Sequence, residues 1–96
     1  MTPHKLRLPT GRLELFRKVL NRRLQEIRRQ VSLKQITKGQ ALDRGARIIR
    51  SHYTELRDFI RAYTLNRDIN YKFNDEDFQK EIRSTIESWN NIVNDM

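Results

Sequence analysis

Arginine is the residue type in this sequence with the clearest chemical use. The chain has 14 arginines and 6 lysines. The planar guanidinium group of arginine binds a phosphate through two parallel hydrogen bonds and stacks on nucleobases, whereas lysine keeps a protein in solution at least as well. The excess of arginine therefore favours phosphate recognition, and nucleic acid is the polyanion that such a surface suits best.

Four arginines of the central segment are predicted to form one edge of a helix. On a helical wheel with roughly 100° per residue and Ile49 at zero, the apolar residues lie within about 60° and these arginines at about 80 to 160°. The edge consists of Arg47, Arg50, Arg57 and Arg61. Its ends are about 21 Å apart, a length over which a nucleic-acid strand presents about three or four phosphates. Arg44 in the same segment is a further candidate contact.

A second basic stripe is predicted on the first helix. It consists of Lys18, Arg22 and Arg29. These side chains project about 200 to 240° from Phe16, away from the apolar face. We predict that both sets contact nucleic acid. Other interpretations stay open, because charged stripes on amphipathic helices are often only solvated surface, and because Glu81 and Glu87 of the last helix could pair with arginines across a bundle.

The residue types that catalyse reactions or bind metals lack the partners that such chemistry needs. The chain has no cysteine, which excludes a thiol nucleophile and a thiolate metal site. His4 and His52 lack the spacing to another histidine or to a carboxylate that a metal site requires. No glycine-rich phosphate loop is present, and no nucleophile has a base near it in the sequence. We therefore predict that the protein is not an enzyme and needs neither a cofactor nor a metal.

Four aromatic residues could stack on bases, but their positions favour packing. Tyr53 and Tyr63 lie on the predicted apolar seam of the central helix, so we expect them in the core with their hydroxyl groups at its rim. Tyr71 and Phe73 lie beside Lys72 in a predicted loop. That arrangement suits a stacked base, although loop aromatics more often close the edge of a core.

The segment Ser32–Lys38 is similar to the first helix of a helix-turn-helix motif. That motif would imply a recognition helix in the major groove of DNA. A turn with a glycine and a short second helix should then follow, but Gly39 comes too early and the next predicted helix is long. The sequence therefore favours contact with the nucleic-acid backbone over sequence-specific reading of bases.

Length and composition allow one small core. The 96 residues carry a net charge of +8 at pH 7, and 36% of them are hydrophobic. Leucine, isoleucine, valine and phenylalanine make up 26 residues, which exceeds the roughly 20% below which chains tend to be disordered. We expect one helical domain over residues 1–96. No segment has the apolar length of a membrane span or the pattern of a secretory signal, so we expect a cytoplasmic protein.

Apolar spacing predicts an all-α fold, a small bundle of three main helices with a long central helix. We expect an N-terminal arm over 1–10, helices over 11–31, 40–65 and 75–93, and a loop over 66–74. Thr10 and Asn74 are the expected caps of the first and last helices. Ser32 and Gln35 have the spacing of a capping box, which predicts a short helical turn near 33–38. The apolar seam of the central helix comprises Leu42, Ala46, Ile49, Tyr53, Leu56, Ile60 and Tyr63.

Charge is divided unequally along the chain. Residues 1–73 contain 18 basic and 6 acidic side chains, and residues 74–96 contain 2 basic and 6 acidic ones. The net charge is therefore +12 on the first segment and −4 on the second. This division predicts that the first two helices meet a polyanion and that the last helix packs within the protein or against neighbours.

A small, basic, helical chain without cysteine resembles the small subunit of Cascade-type CRISPR effector complexes in size, helicity and charge. The resemblance implies a non-catalytic subunit in antiviral defence that binds RNA or DNA backbone and stabilises the guide RNA–target DNA duplex or the displaced strand. The implied partners are larger protein subunits and copies of the chain itself, without a membrane. Two alternatives stay open: a protein-binding adaptor or inhibitor with a basic helical face, and a ribosome- or RNA-associated helical protein.

Overall fold

The chain folds into three α-helices in a computed structural model that describes residues 10–66 and 74–96. The helices are α1 (Thr10–Ser32), α2 (Lys38–Asn66) and α3 (Asp75–Asn94). The described residues contain no strand, so the predicted all-α fold with a long central helix is confirmed. Each helix end lies within two residues of its predicted position. The predictions for the arm before Thr10, His4 included, and for the loop aromatics Tyr71 and Phe73 lie outside the described residues.

Helix α2 lies between the other two helices. Helices α1 and α3 both pack along α2, and the described residues of α1 and α3 make few contacts with each other. The buried face of α2 is therefore wider than the predicted seam. Ile49 and Tyr53 are buried as predicted, but so are Ala41 and Gly45, which the seam left out. The hydrophobic core consists of Leu20, Ile27, Ala41, Ile49, Tyr53, Phe78, Ile82, Trp89 and Val93.

The connection between α1 and α2 differs from the prediction. The expected helical turn near 33–38 is absent from these described residues, because α1 continues through Ser32 and then ends in a Schellman motif. Lys34 has a left-handed backbone with φ 58°, and its N–H donates to the carbonyl of Val31 at 3.0 Å. The N–H of Gln35 donates to the carbonyl of Gln30 at 2.9 Å. Ser32 therefore lies at the end of a helix and cannot cap the next one.

The capping box of α2 lies five residues later, at Thr37 and Gln40. The N–H of Gln40 donates to Thr37 Oγ1 at 3.1 Å, and the N–H of Thr37 donates to Gln40 Oε1 at 2.9 Å. This reciprocal pair satisfies two of the N–H groups that a helix start leaves without a partner. Helix α2 thus begins with its own cap, and Gly39 lies in its first turn.

The expectations for the other two helix starts had different outcomes. Asn74 caps α3 as predicted, and its Oδ1 accepts a hydrogen bond from the N–H of Asp77 at 3.2 Å. The first turn of α3 is acidic, which suits the positive end of the helix dipole. Thr10 was expected to cap α1 but is the first residue of that helix.

Helix α3 is held on α2 by two polar contacts within apolar packing. The indole N–H of Trp89 donates to the carbonyl of Ala41 at 3.0 Å, and the hydroxyl groups of Tyr53 and Thr85 are hydrogen-bonded at 3.0 Å. The ring of Tyr53 also meets that of Phe78 edge to face, with 5.5 Å between centroids. Tyr53 is therefore a core residue, as predicted. Within the described ranges, no helix has the length and hydropathy needed to cross a membrane.

Candidate nucleic-acid interface

The charges of the sequence are separated between helices in space. Helix α1 carries seven basic and two acidic side chains, and α2 carries six basic and three acidic ones. Helix α3 carries two basic and five acidic side chains. Because α1 and α2 pack against each other, they form one positively charged pair of helices. A polyanion therefore meets an attractive surface on this pair and a repulsive one on α3.

Three exposed arginines follow α2 over about 21 Å. We call Arg47, Arg50 and Arg61 the α2 ridge. Arg47 is paired with Asp43 at 3.1 Å, and Arg61 lies 3.8 Å from Asp75 of α3. No described carboxylate lies within 4 Å of Arg50. Exposed ion pairs contribute little to stability, and the Arg47 side chain is 79% exposed, so a phosphate can compete for these guanidinium groups.

Arg57 differs from the other arginines of the predicted edge. Its side chain is 30% exposed, and its Nε is buried, makes no hydrogen bond in the described part of the chain and lies 3.7 Å from Asp58 Oδ1. On the helical wheel it is the arginine closest to the apolar seam, which explains why its stem is covered. We therefore leave Arg57 out of the α2 ridge.

The predicted pairing of α2 arginines with α3 occurs at one end of the helices. Asp75 supplies the carboxylate near Arg61, at the start of α3. Glu81 and Glu87, which the sequence suggested as partners, have no described basic group within 4 Å. Most of the basic charge of α2 is therefore not neutralised by α3.

The predicted α1 stripe is exposed over its whole length. Its members are Lys18, Arg22 and Arg29. Arg29 donates two hydrogen bonds to Glu26, at 2.8 and 3.1 Å, which hold the pKa of Glu26 below its usual value and raise that of Arg29. Lys18 and Arg22 have no described carboxylate within 4 Å. The stripe therefore offers two cations without an acidic neighbour in the described residues.

A groove runs between α1 and α2, and all the residues that line it belong to these two helices. It consists of two adjoining hollows of about 220 and 420 Å³, which share Arg23 and Ile48. Leu15, Val19 and Ile48 contribute to an apolar floor. The basic residues of its rim are Arg12, Arg23, Arg44 and Arg47. The groove thus brings the predicted contacts Arg44 and Arg47 close to α1, whereas Arg50 and Arg61 do not line it.

Two arginines of this rim were missed by the sequence analysis. Arg12 and Arg23 lie within about 40° of Phe16 on the wheel of α1, at the margin of its apolar face. A basic residue at that angle lies at the boundary between the apolar face and solvent, where its stem can cover apolar surface. The predicted α1 stripe lies on the side of α1 opposite Phe16, so it includes neither arginine.

His52 lies at the wall of the groove within a cluster of aromatic rings. Its ring contacts those of Phe16 and Tyr53 edge to face, with centroids 6.0 and 5.2 Å away. Burial lowers the pKa of His52, Glu55 opposes the shift and Arg23 adds to it. In the described residues no three histidine, aspartate or glutamate side chains lie close enough together to hold a metal ion.

No protein-family model, curated protein or solved structure matches the chain. Its function is therefore inferred from the charges, exposure and contacts of its own residues.

Proposed function

We propose that this chain is a non-catalytic subunit that binds the sugar–phosphate backbone of nucleic acid through the α2 ridge and the α1 stripe. The observation that supports this most is the ridge itself, a row of exposed guanidinium groups about 21 Å long on a positively charged pair of helices. Arginine binds phosphate in two-pronged fashion, and each neutralised phosphate releases bound counterions. A row of such groups matches the repeated phosphates of a nucleic-acid strand, whereas one small anion could contact only part of the row.

Contact with the backbone is favoured over reading of bases. The connection at 33–37 contains no short helix, and α2 is 29 residues long, so the helix-turn-helix arrangement that presents a recognition helix is absent from this part of the chain. The α2 ridge also lies along the side of a helix, where arginines face a strand laterally. Such contacts position a protein on nucleic acid but carry no sequence information.

The proposed setting is a nucleoprotein complex. The small subunit of a Cascade-type CRISPR effector is the specific assembly that size, helicity and charge suggest. Its test is reconstitution: the purified chain should join a complex that contains a guide RNA and stay with it through gel filtration. If the chain does not join such a complex but still binds free nucleic acid, the CRISPR assignment is wrong and the proposal of backbone binding is retained.

Backbone binding is tested with labelled single-stranded DNA and RNA of about 20 nucleotides in several unrelated sequences. Fluorescence anisotropy should show similar affinities for all sequences, and log K should fall linearly with the logarithm of the salt concentration between about 50 and about 200 mM. Absence of binding at the lowest salt would contradict the proposal. A strong preference for one sequence would contradict the assignment to the backbone.

A further inference from the structure

The groove between α1 and α2 exposes apolar surface that no other described part of the chain covers. Leu15 is 54% exposed and Val19 is 39% exposed, although both line the same hollow as the core residue Leu20. Helix α3 contributes no residue to the lining. A helix that entered the groove would complete a four-helix arrangement around α2. We propose that the groove binds an amphipathic, acidic helix of a partner protein.

The length of the groove fits a helix. Its lining extends along α1 from Arg12 to Gln30, which is about 27 Å or about five helical turns. Recognition of this kind uses apolar side chains at every third or fourth position of the bound helix, which enter the groove in a row. The two hollows of about 220 and 420 Å³ are large enough for several such side chains.

The charge of the rim determines the charge of the partner. The lining includes the basic residues Arg12, Arg23, Arg44 and Arg47 and the acidic residues Glu26 and Glu55. Glu26 already accepts hydrogen bonds from Arg29. Asp43 pairs with Arg47 from outside the groove, but no described carboxylate lies within 4 Å of Arg12, Arg23 or Arg44. The rim is therefore positive, so glutamate or aspartate beside the apolar row of a bound helix is attracted and lysine or arginine is repelled.

The same features disfavour the other possible occupants. Most apolar residues of the lining are aliphatic, and its two aromatic rings, Phe16 and His52, already pack against each other and against Phe59 and Tyr53. Unstacked bases therefore find few of the free stacking partners that single-strand-binding proteins use. The apolar face of α3, with Phe78, Ile82 and Trp89, is buried on α2 and is not available to a second copy. The groove shares Arg47 with the α2 ridge, but Arg50 and Arg61 do not line it, so substitutions at these two arginines test nucleic-acid binding separately from the groove.

The probe is a designed helical peptide of about 18 residues with leucines in one row and glutamates beside them. Its counterpart has the same leucines with lysines in place of the glutamates. Methyl NMR of the full chain should show shifts at Leu15, Val19 and Ile48 with the glutamate peptide and weaker or no shifts with the lysine peptide. Calorimetry should show that Leu15→Ser with Val19→Ser weakens binding about tenfold or more.

A matched pair of substitutions controls for general loss of apolar surface. Leu33 and Ile92 are 54% and 42% exposed but do not line the groove. Leu33→Ser with Ile92→Ser should leave peptide affinity unchanged, and circular dichroism should show that both double variants remain folded. The proposal is overturned by equal binding of the two peptides, by absence of shifts at the groove methyl groups or by equal losses in both double variants.

Two further outcomes would assign the groove to another occupant. Larger shifts of the groove methyl groups with an oligonucleotide than with the glutamate peptide would assign it to nucleic acid. Formation of a dimer in sedimentation, lost with Leu15→Ser and Val19→Ser, would assign it to a second copy of the chain. Either result would overturn the proposed partner, while the salt dependence of oligonucleotide binding reports separately on the α2 ridge.

Discussion

The indole ring of Trp89 packs directly against the backbone of Gly45. A Cβ atom at Gly45 would overlap the indole Nε1, Cε2 and Cδ1 atoms. Trp89 is 2% exposed, and its N–H donates to the carbonyl of Ala41 one turn before Gly45. Glycine is therefore required at position 45 because the Trp89 ring lies against the backbone there, and not because the backbone has a positive φ angle. This contact attaches the acidic helix α3 to the first half of α2.

Substitution Gly45→Ala should lower the free energy of unfolding by about 1–2 kcal/mol, because an overpacking cost of up to about 3 kcal/mol exceeds the gain of about 1 kcal/mol from the higher helix propensity of alanine. The added methyl would displace the Trp89 ring and weaken its hydrogen bond to Ala41. Urea unfolding followed by Trp89 fluorescence measures both the loss of stability and the change in the environment of the ring.

Gly39→Ala is the matched control for that measurement. An added Cβ at Gly39 would lie 3.8 Å from Thr37 Oγ1, an ordinary contact, and the residue is in the first turn of α2. Because alanine favours helix over glycine, this variant should gain up to about 1 kcal/mol. Equal effects of the two alanine substitutions would show that the Trp89–Gly45 contact is not tight.

Thr37→Ala should destabilise the protein by about 1 kcal/mol, because it removes the side chain that caps α2. Ser32→Ala should have an effect near zero, since Ser32 is the last residue of α1 and caps nothing. Chemical denaturation of the two variants compares the two positions directly. A larger loss with Ser32→Ala would favour a capping box at Ser32 over the observed one.

Local periodicity was sufficient to predict the helices. The spacing of Leu20 and Ile27 in α1 and of Phe78 and Ile82 in α3 places these residues on one face, and all four are buried. The cap at Asn74 was predictable as well, because an asparagine precedes three acidic residues at the helix start. These helix faces and this cap are determined by residues close to one another in the sequence, so they can be predicted from the sequence pattern.

Features that depend on contacts between helices could not be predicted. Ala41 and Gly45 are small and do not register as a hydrophobic seam, yet they form the surface on which Trp89 packs. Ser32 and Thr37 both start a capping-box pattern, and only the point at which α1 ends decides between them. In the candidate interface, the helical wheel placed Arg50 outside the apolar seam of α2. That Arg44 of α2 and Arg23 of α1 line the same groove depends on how the two helices pack, which the wheel of a single helix does not contain.

Stability should fall as the pH drops below neutrality because of His52. The imidazole of an unfolded chain takes up a proton near pH 6.5, whereas burial lowers the pKa of His52 in the folded chain. The unfolded state therefore binds more protons as the pH falls through about 6.5, and the free energy of unfolding decreases until the pH is below the folded pKa. Thermal unfolding between about pH 7.5 and about pH 5.5 measures this loss.

His52→Gln supplies the comparison for the pH series. This variant cannot take up the proton, so its melting temperature should depend less on pH over the same range. Carboxylate groups titrate at lower pH and affect both proteins alike. If the melting temperatures of the two proteins changed with pH in parallel across the range, a partly buried, neutral His52 would be contradicted.

The salt dependence of oligonucleotide binding is the most direct test of backbone binding by the α2 ridge. Arg50→Ala with Arg61→Ala removes two cations from the α2 ridge, and Lys80→Ala with Arg83→Ala removes two from α3. Both variants change the net charge of the chain equally. The ridge variant should reduce the slope of log K against log salt by about 1.4 for a single strand, at about 0.7 per phosphate contact, and the α3 variant should leave the slope unchanged. An unchanged slope in the ridge variant, or equal reductions in both variants, would show that the α2 ridge does not contact phosphates.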